Sequence, residues 1–292
     1  MSDNSYLFIV NPNSGTTIGK NQRAVCEAIE TFARRHSAHA HILFTKESGH
    51  ATHLVREHLT LRNWKAIVAV GGDGTVNEVA KVLVHKSLAL GILPLGSGNG
   101  LARHLGLPLT PVAALTRLFE GNPIVIDSAE LNGIPFFCTA GVGFDAYVGA
   151  LFSRQSSRGL ATYASVAFKS FWNFKPQHFL LNGKDTEAFS LTIANAGQYG
   201  NNAWIAPEAS VQDGFLDICV VRPFPAWFGV NLAYRMFSKS LKPSGFVSYE
   251  TLQHVLIESA NPPLIHYDGE PLQLDTTRIQ IDIRPKSLCV IV

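Results

Sequence analysis

Two textures of hydrophobic and polar positions divide the chain. In the first part, short apolar runs at residues 6–10, 40–44, 66–70 and 88–93 alternate with amphipathic stretches. Residues 21–35 place Val25, Ile29 and Phe32 at helical spacing, and residues 51–59 do the same with Leu54, Val55 and His58. A third helical pattern, 76–84, follows a glycine-rich loop. Strand and helix taking turns predicts βαβ units around a mainly parallel sheet, whose ligands bind beyond the carboxyl ends of the strands. From about residue 124 the pattern changes to frequent short β-like runs: 124–127, 136–139, 189–194, 215–221, 254–258, 264–267 and 279–283. Gly, Asn and Pro punctuate them, and two helical insertions, 160–172 and 226–237, interrupt the series without restoring alternation. The predicted organisation is an α/β domain over 1–123, rejoined by a last strand within 285–292, and a β-rich domain over 124–284.

Composition narrows the class. With 46% hydrophobic and 16% charged residues the chain is a folding one rather than a disordered or fibrous one. Lys plus Arg number 24 against 22 Asp plus Glu, too balanced for a nucleic-acid binder that works by bulk charge, so an anionic ligand must be held locally. Cys26, Cys138, Cys219 and Cys289 are scattered, with no metal-ligand spacing, which points to a reducing compartment. No secretory signal pattern opens the chain, and its charge-poor stretches are broken by Gly, Pro, Asn or Asp. A cytoplasmic protein is expected, without a transmembrane segment.

Three loops at predicted strand ends carry the candidate chemistry. Gly71, Gly72, Asp73, Gly74, Thr75, Val76, Asn77 and Glu78 form a glycine-rich turn running into a helix. Glycines let a backbone approach phosphate, and N–H groups at a helix start favour its charge. Asp73 beside phosphate suggests Mg²⁺ or a proton-transfer task, although Asp and Thr at such a turn also serve as helix caps. Asn11, Pro12, Asn13, Ser14 and Gly15 follow the first strand, and Gly96, Ser97, Gly98, Asn99 and Gly100 follow the fourth. Each alone reads as an ordinary turn; together they converge on one nucleotide site. The P-loop and Rossmann fingerprints are both absent.

These segments resemble, in order, the lipid kinases related to diacylglycerol kinase and sphingosine kinase, especially their small bacterial members. The resemblance spans nearly the whole chain: NPNSG at 11–15, Thr45 with GHA at 49–51, GGDGTVNE at 71–78, PLGSGN at 94–99, GVGFDA at 141–146, the segment 207–217 and DGEP at 268–271. It implies an NAD kinase/diacylglycerol kinase-like α/β domain that binds ATP, a β-sandwich with a lipid pocket, a catalytic site between them, and γ-phosphoryl transfer to a lipid hydroxyl with Mg²⁺. Asn11, Asn13, Ser14, Gly15, Thr45, the residues Gly71 through Asn77, and Ser97 then contact the nucleotide. Asp73, Asp268 and Glu270 supply the catalytic carboxylates, and either member of the DGE segment is open as the base. Residues i and i+2 of an extended segment would point to one side; the alternative is a DG turn closing a hairpin. Ser210, Asp213 and Phe215 resemble a structural magnesium site, with a plain Asp-Gly turn as the alternative. Arg154 and Arg158 are candidates to reach phosphate or to form a solvated face.

Two departures bear on the acceptor. Gly100 stands where many diacylglycerol kinase-like members place Asp, and Gly149 where sphingosine kinases carry an acidic residue toward the sphingoid amine, with Asp145 lying earlier. Diacylglycerol, a sphingoid base or a related lipid all remain open. The expected partner is a lipid substrate reached peripherally at the inner membrane face, chiefly through apolar contact, with a homodimer permitted. The rival readings are an NAD kinase-like soluble-metabolite kinase and a non-catalytic ATP-binding regulator.

Overall fold

The computed structural model describes residues 4–14, 22–155 and 159–292. The chain forms two units, one of residues 1–126 with 286–292 and one of residues 127–285. In the first unit, β1 (Ser5–Val10), β2 (His39–Phe44), β3 (Trp64–Gly71) and β4 (Ala89–Pro94) lie in the order β2-β1-β3-β4, all parallel. The end of the chain adds Val290 in parallel register beside Leu90. Helices α1 (Gln22–Arg35), α2 (His50–His58), α3 (Asp73–Leu83), α4 (Gly100–His104) and α5 (Pro111–Glu120) connect these strands. Both sheet faces are covered, so β1 and β4 are buried along their whole length and β3 at every residue but Lys65, while the edge strand β2 is half-exposed. Tyr6, Phe8, Val68 and Val70 form one face, packed with Val25 and Ile29 of α1 and Leu115 and Leu118 of α5.

The second unit is a sandwich. One sheet is antiparallel and six-stranded, in the order β12-β11-β10-β7-β14-β15: β7 (Thr139–Gly143), β10 (Ser190–Ala194), β11 (Leu216–Val221), β12 (Val247–Leu252), β14 (Leu264–Tyr267) and β15 (Glu270–Gln273). Opposite it run β13 (His254–Glu258), the hairpin of β8 (Gln177–Leu181) and β9 (Lys184–Ala188), and the first part of β16 (Arg278–Ile291), with β5 (Pro123–Leu131) and β6 (Ile134–Phe136) alongside. Val142, Leu191, Ile193 and Ile218 of the first layer meet Phe179, Val255, Ile257, Ile279 and Ile281 of the second in a dry core. The other face of the six-stranded sheet is covered by aromatic residues from α6 (Phe144–Ser153), α7 (Leu160–Phe171) and α8 (Ala226–Phe237). No helix among the described residues is long and apolar enough to cross a membrane.

The expected fold class, a mainly parallel α/β unit plus a β-sandwich, is the one observed. Several elements differ from the pattern reading. The run expected at 136–139 is a break between β6 and β7, because Phe137 and Cys138 give their N–H groups to a side chain instead of a ladder. The expected final strand is the continuation of β16, which begins at Arg278.

Candidate functional site: a glycine-lined backbone cradle

In the first unit the loops after β1, β3 and β4 are held together by hydrogen bonds and by missing side chains. Asn11 ends β1, and its Nδ2 donates to Thr75 Oγ1 (3.2 Å) while its Oδ1 accepts the Asn13 N–H (2.9 Å). The Gly72 N–H points to Ser14 Oγ at 3.4 Å, and the Leu95 N–H bonds the Gly71 carbonyl at 2.8 Å. A Cβ on Gly71 would lie 2.5 Å from Thr75 Oγ1, and one on Gly96 would lie 2.5 Å from Gly72 Cα. Contacts that short are not made by real Cβ atoms: Gly71 leaves room for the Thr75 side chain, and Gly96 lies against the Gly72 backbone. Helix α3 makes its first backbone bond from Val76 N–H to the Gly72 carbonyl, so the N–H groups of Gly74 and Thr75 lie in the opening turn, which has no intrahelical acceptors. Such a turn suits an anion.

Two acidic residues of this segment anchor neighbouring helices. Asp73 Oδ2 accepts the Asn99 N–H (2.8 Å) and its Oδ1 accepts the Gly100 N–H (2.6 Å), capping α4. Asn99 takes the left-handed conformation (φ 52°), which Asn tolerates, and donates to the Gly96 carbonyl. Arg103 Nε holds the Gly98 carbonyl at 2.9 Å. Glu78, one and a half turns along α3, accepts the N–H groups of Gly49 (2.8 Å) and Ala51 (2.9 Å) at the start of α2. A carboxylate at a helix N-terminus satisfies orphan donors and opposes the positive end of the helix dipole.

The sequence-derived nucleotide residues thus fall in distinct positions. Asn11, Ser14, Gly71, Gly72, Asp73 and Thr75 are joined directly or through one another, with Gly74 beside them at the opening of α3. Asn13 is tied to Asn11, and Ser97 lies half-buried in the loop after β4. Thr45 is buried at the end of β2, its N–H on the Val10 carbonyl. Val76 and Asn77 are buried within α3. Gly15 and Arg158 lie outside the described residues, and Arg154 is exposed at the end of α6. Glu78, Gly96 and Asn99 lie in loops that the sequence marks without a role for each, and Arg103 escaped it. The signal for Asn99 was present, since Asn between two glycines marks a left-handed turn.

In the second unit, Asp268 and Gly269 both have positive φ (47° and 83°) and join β14 to β15 with Tyr267 opposite Glu270. That is the hairpin alternative, and it corrects the expectation of an extended segment with both carboxylates on one side. Both oxygens of Asp268 are engaged: Oδ2 by the Phe137 N–H (2.9 Å) and Oδ1 by the Cys138 N–H (2.7 Å). Glu270 begins β15 and is exposed. The carboxylate of Asp145 is buried, its Oδ2 contacting His266 Nε2 (2.9 Å), Thr192 Oγ1 (3.0 Å) and Tyr199 OH (3.0 Å). Burial, followed by the nearby Asp145 charge, raises the Tyr199 hydroxyl well above the ordinary phenol range. Asp145 is therefore an internal strut rather than a ligand turned to an amine.

The Ser210–Phe215 segment closes on itself. Asp213 Oδ1 accepts the Phe215 N–H (3.0 Å), Ser210 Oγ accepts the Gln212 N–H (3.3 Å), and Gly214, at φ 77°, donates to the buried Asp127 Oδ2 (2.8 Å). Turn closure accounts for both side chains, and among the described residues no three His, Cys, Asp or Glu side chains gather to hold a metal. The reading of Ser210, Asp213 and Phe215 as a magnesium site asks for one carboxylate with backbone oxygens and water, a donor set of another kind.

The parallel α/β unit and the β-sandwich each match a known domain family. Residues 5–131 match the diacylglycerol kinase catalytic domain, and residues 138–292 match the YegS C-terminal NAD kinase beta sandwich-like domain. The chain belongs to this diacylglycerol kinase-type family. A Chromohalobacter salexigens protein named "Probable lipid kinase YegS-like" is 31% identical over 86% of this chain and 83% of its own. A crystal structure of a diacylglycerol kinase from Bacillus anthracis superposes with a TM-score of 0.76 at 23% identity, covering 99% of this chain and 96% of that one. An NAD kinase from Archaeoglobus fulgidus in complex with ATP gives 0.54 at 12% identity, covering 98% and 93%. The last two likenesses establish the fold alone.

Proposed function

We propose that the protein transfers the γ-phosphoryl group of ATP to the hydroxyl of a lipid, diacylglycerol, a sphingoid base or a related amphiphile. The observation that carries the reading is the cradle: loops from adjacent parallel strands pressed together at Gly72 and Gly96, with the opening turn of α3 beside them. Its amides and small polar groups would take the phosphates. In the transfer, the lipid oxygen attacks the γ-phosphorus, the bond to the ADP oxygen breaks, ADP leaves with the electron pair, and the hydroxyl proton passes to a carboxylate. Glu270 is assigned that proton, because Asp268 already spends both oxygens on backbone N–H groups. Asp73 and Asp268 are positioning residues in this account. Mg²⁺, when bound, would neutralise the β- and γ-phosphates, and phosphate oxygens and water would be its main ligands, since both Asp73 oxygens already accept N–H groups.

The reading places the protein in the cytoplasm, meeting its acceptor at the inner membrane face. Incubation with γ-labelled ATP, Mg²⁺ and mixed micelles of glycerolipid and sphingoid acceptors, beside NAD, tests it. Label in a lipid, abolished by EDTA, is the expected result. Label in NAD alone, or in nothing, overturns it.

A further inference from the structure

Helix α8 is apolar on both of its sides. Phe228, Leu232 and Met236 turn inward onto the aromatic layer over the six-stranded sheet. Trp227, Val230 and Tyr234 follow at helical spacing on the other side and are 68%, 76% and 70% exposed. A helix facing water normally carries polar residues there. Helix α7 lies beside it: the Phe171 and Phe224 rings are 5.9 Å apart, and a Cβ on Gly229 would sit 3.6 Å from Phe171. Phe168 of α7 and its capping residue Trp172 are 71% and 66% exposed. Half of the large apolar side chains exposed among the described residues lie on these two helices and that cap.

The charge of the same region is one-sided. Residues 159–183 and 218–249 contain six Lys and Arg and no Asp or Glu, in a chain whose totals are 24 and 22. Lys169 adjoins Phe168, Arg235 adjoins Tyr234, Lys239 sits 3.9 Å above the Trp204 ring, and Lys242 follows. Balanced bulk charge therefore conceals a local excess of cations, and salt matters more than the sequence totals imply. Apolar area enters the acyl boundary of a bilayer, Trp and Tyr sit at headgroup level, and Lys and Arg meet anionic headgroups. A second copy of the chain is the poorer occupant, since a two-fold contact sets this cationic face against itself.

We propose that the α7–α8 face docks on a bilayer containing anionic lipid. The inference deepens the lipid-kinase reading by naming the surface through which that acceptor is reached, but docking itself needs neither ATP nor acceptor. The test is co-sedimentation of the full chain with acceptor-free vesicles of phosphatidylcholine alone or mixed with phosphatidylglycerol. Tighter binding to the mixed vesicles is expected. Trp172→Ser with Trp227→Ser should weaken it by more than about tenfold, through lost apolar burial. Lys169→Gln and Lys242→Gln should each cost roughly fivefold on anionic vesicles and almost nothing on phosphatidylcholine. Melting temperatures should hold in all of them, because the side chains are exposed. Unchanged binding by the Trp variant, no binding by the wild type, or a wild-type dimer that the Trp variant dissociates would overturn the proposal. A short-chain, water-soluble acceptor separates the two claims. Phosphorylation of it without vesicle binding removes the docking face alone, whereas vesicle binding with no transfer to any lipid removes the kinase reading alone.

Discussion

Gly96 and Gly72 touch through their backbones: a single added Cβ on Gly96 would stand 2.5 Å from Gly72 Cα and 2.8 Å from Asn99 Oδ1. Two loops 24 positions apart in sequence thereby share one wall of the cradle. Gly96→Ala must push the loops apart, and ATP affinity measured by calorimetry is expected to fall at least about tenfold, with about 1–3 kcal/mol lost in stability. Undiminished affinity would show that the contact does not shape the nucleotide site.

Glu78 belongs to the glycine-rich segment in sequence, yet it serves α2. Glu78→Gln keeps the size of the side chain but replaces one acceptor oxygen with a donor, leaving the Gly49 or Ala51 N–H opposed. The expected loss is about 1–2 kcal/mol in urea unfolding, from the cap and the helix dipole together. A variant as stable as the wild type would contradict the capping role.

Asp145 sits under three partners from β10, β14 and the segment after β10, and its removal strands buried donors. Asp145→Asn is expected to cost about 1–3 kcal/mol, the range for leaving buried donors without their acceptor, and His266→Ala somewhat less. A double-mutant cycle checks the coupling: strongly non-additive losses are expected, and additive ones would separate the two residues.

Cys219 has its thiol pushed up to about 12, first by burial and then by the Asp145 and Asp217 charges, against an opposing hydrogen bond with Tyr249. A folded-state value above the unfolded one, about 8.5, means the stabilisation is complete below the unfolded value. It drains away as pH rises toward the folded one. Cys219→Ala should therefore flatten the alkaline limb of a melting-temperature profile while lowering stability at neutral pH. An alkaline limb of unchanged steepness would refute the assignment.

How far the sequence carried the account depends on distance along the chain. Alternation of apolar runs and helical spacing exposed the parallel sheet, because each βαβ unit is local and both of its faces are buried. The β8–β9 hairpin escaped, although Asn182 and Gly183 are a hairpin pair with φ of 49° and 80°. Its strands are half exposed and Lys184–Ala188 is largely polar, so no apolar run announced it. Helix α6 escaped because its residues are apolar nearly all round, with no polar face to mark a helical period. The site residues were legible as glycine-rich loops, but the reason for the glycines was not. Gly72 and Gly96 have backbone atoms of each other's loop as neighbours, which no spacing rule encodes. The same holds for Asp268, whose partners Phe137 and Cys138 lie 131 and 130 positions away.

The proposed division of labour within the DGE segment has Asp268 holding the backbone and Glu270 receiving the proton. The most direct measurement is the turnover number of Glu270→Gln on a lipid acceptor, taken with its ATP affinity and melting temperature. A fall of roughly 10²–10⁴-fold in turnover, with affinity and melting temperature unchanged, is the expected result. Asp268→Asn should show the opposite emphasis, a loss of about 1–3 kcal/mol in stability, because an amide cannot accept from both Phe137 and Cys138. Full turnover by Glu270→Gln would contradict the account.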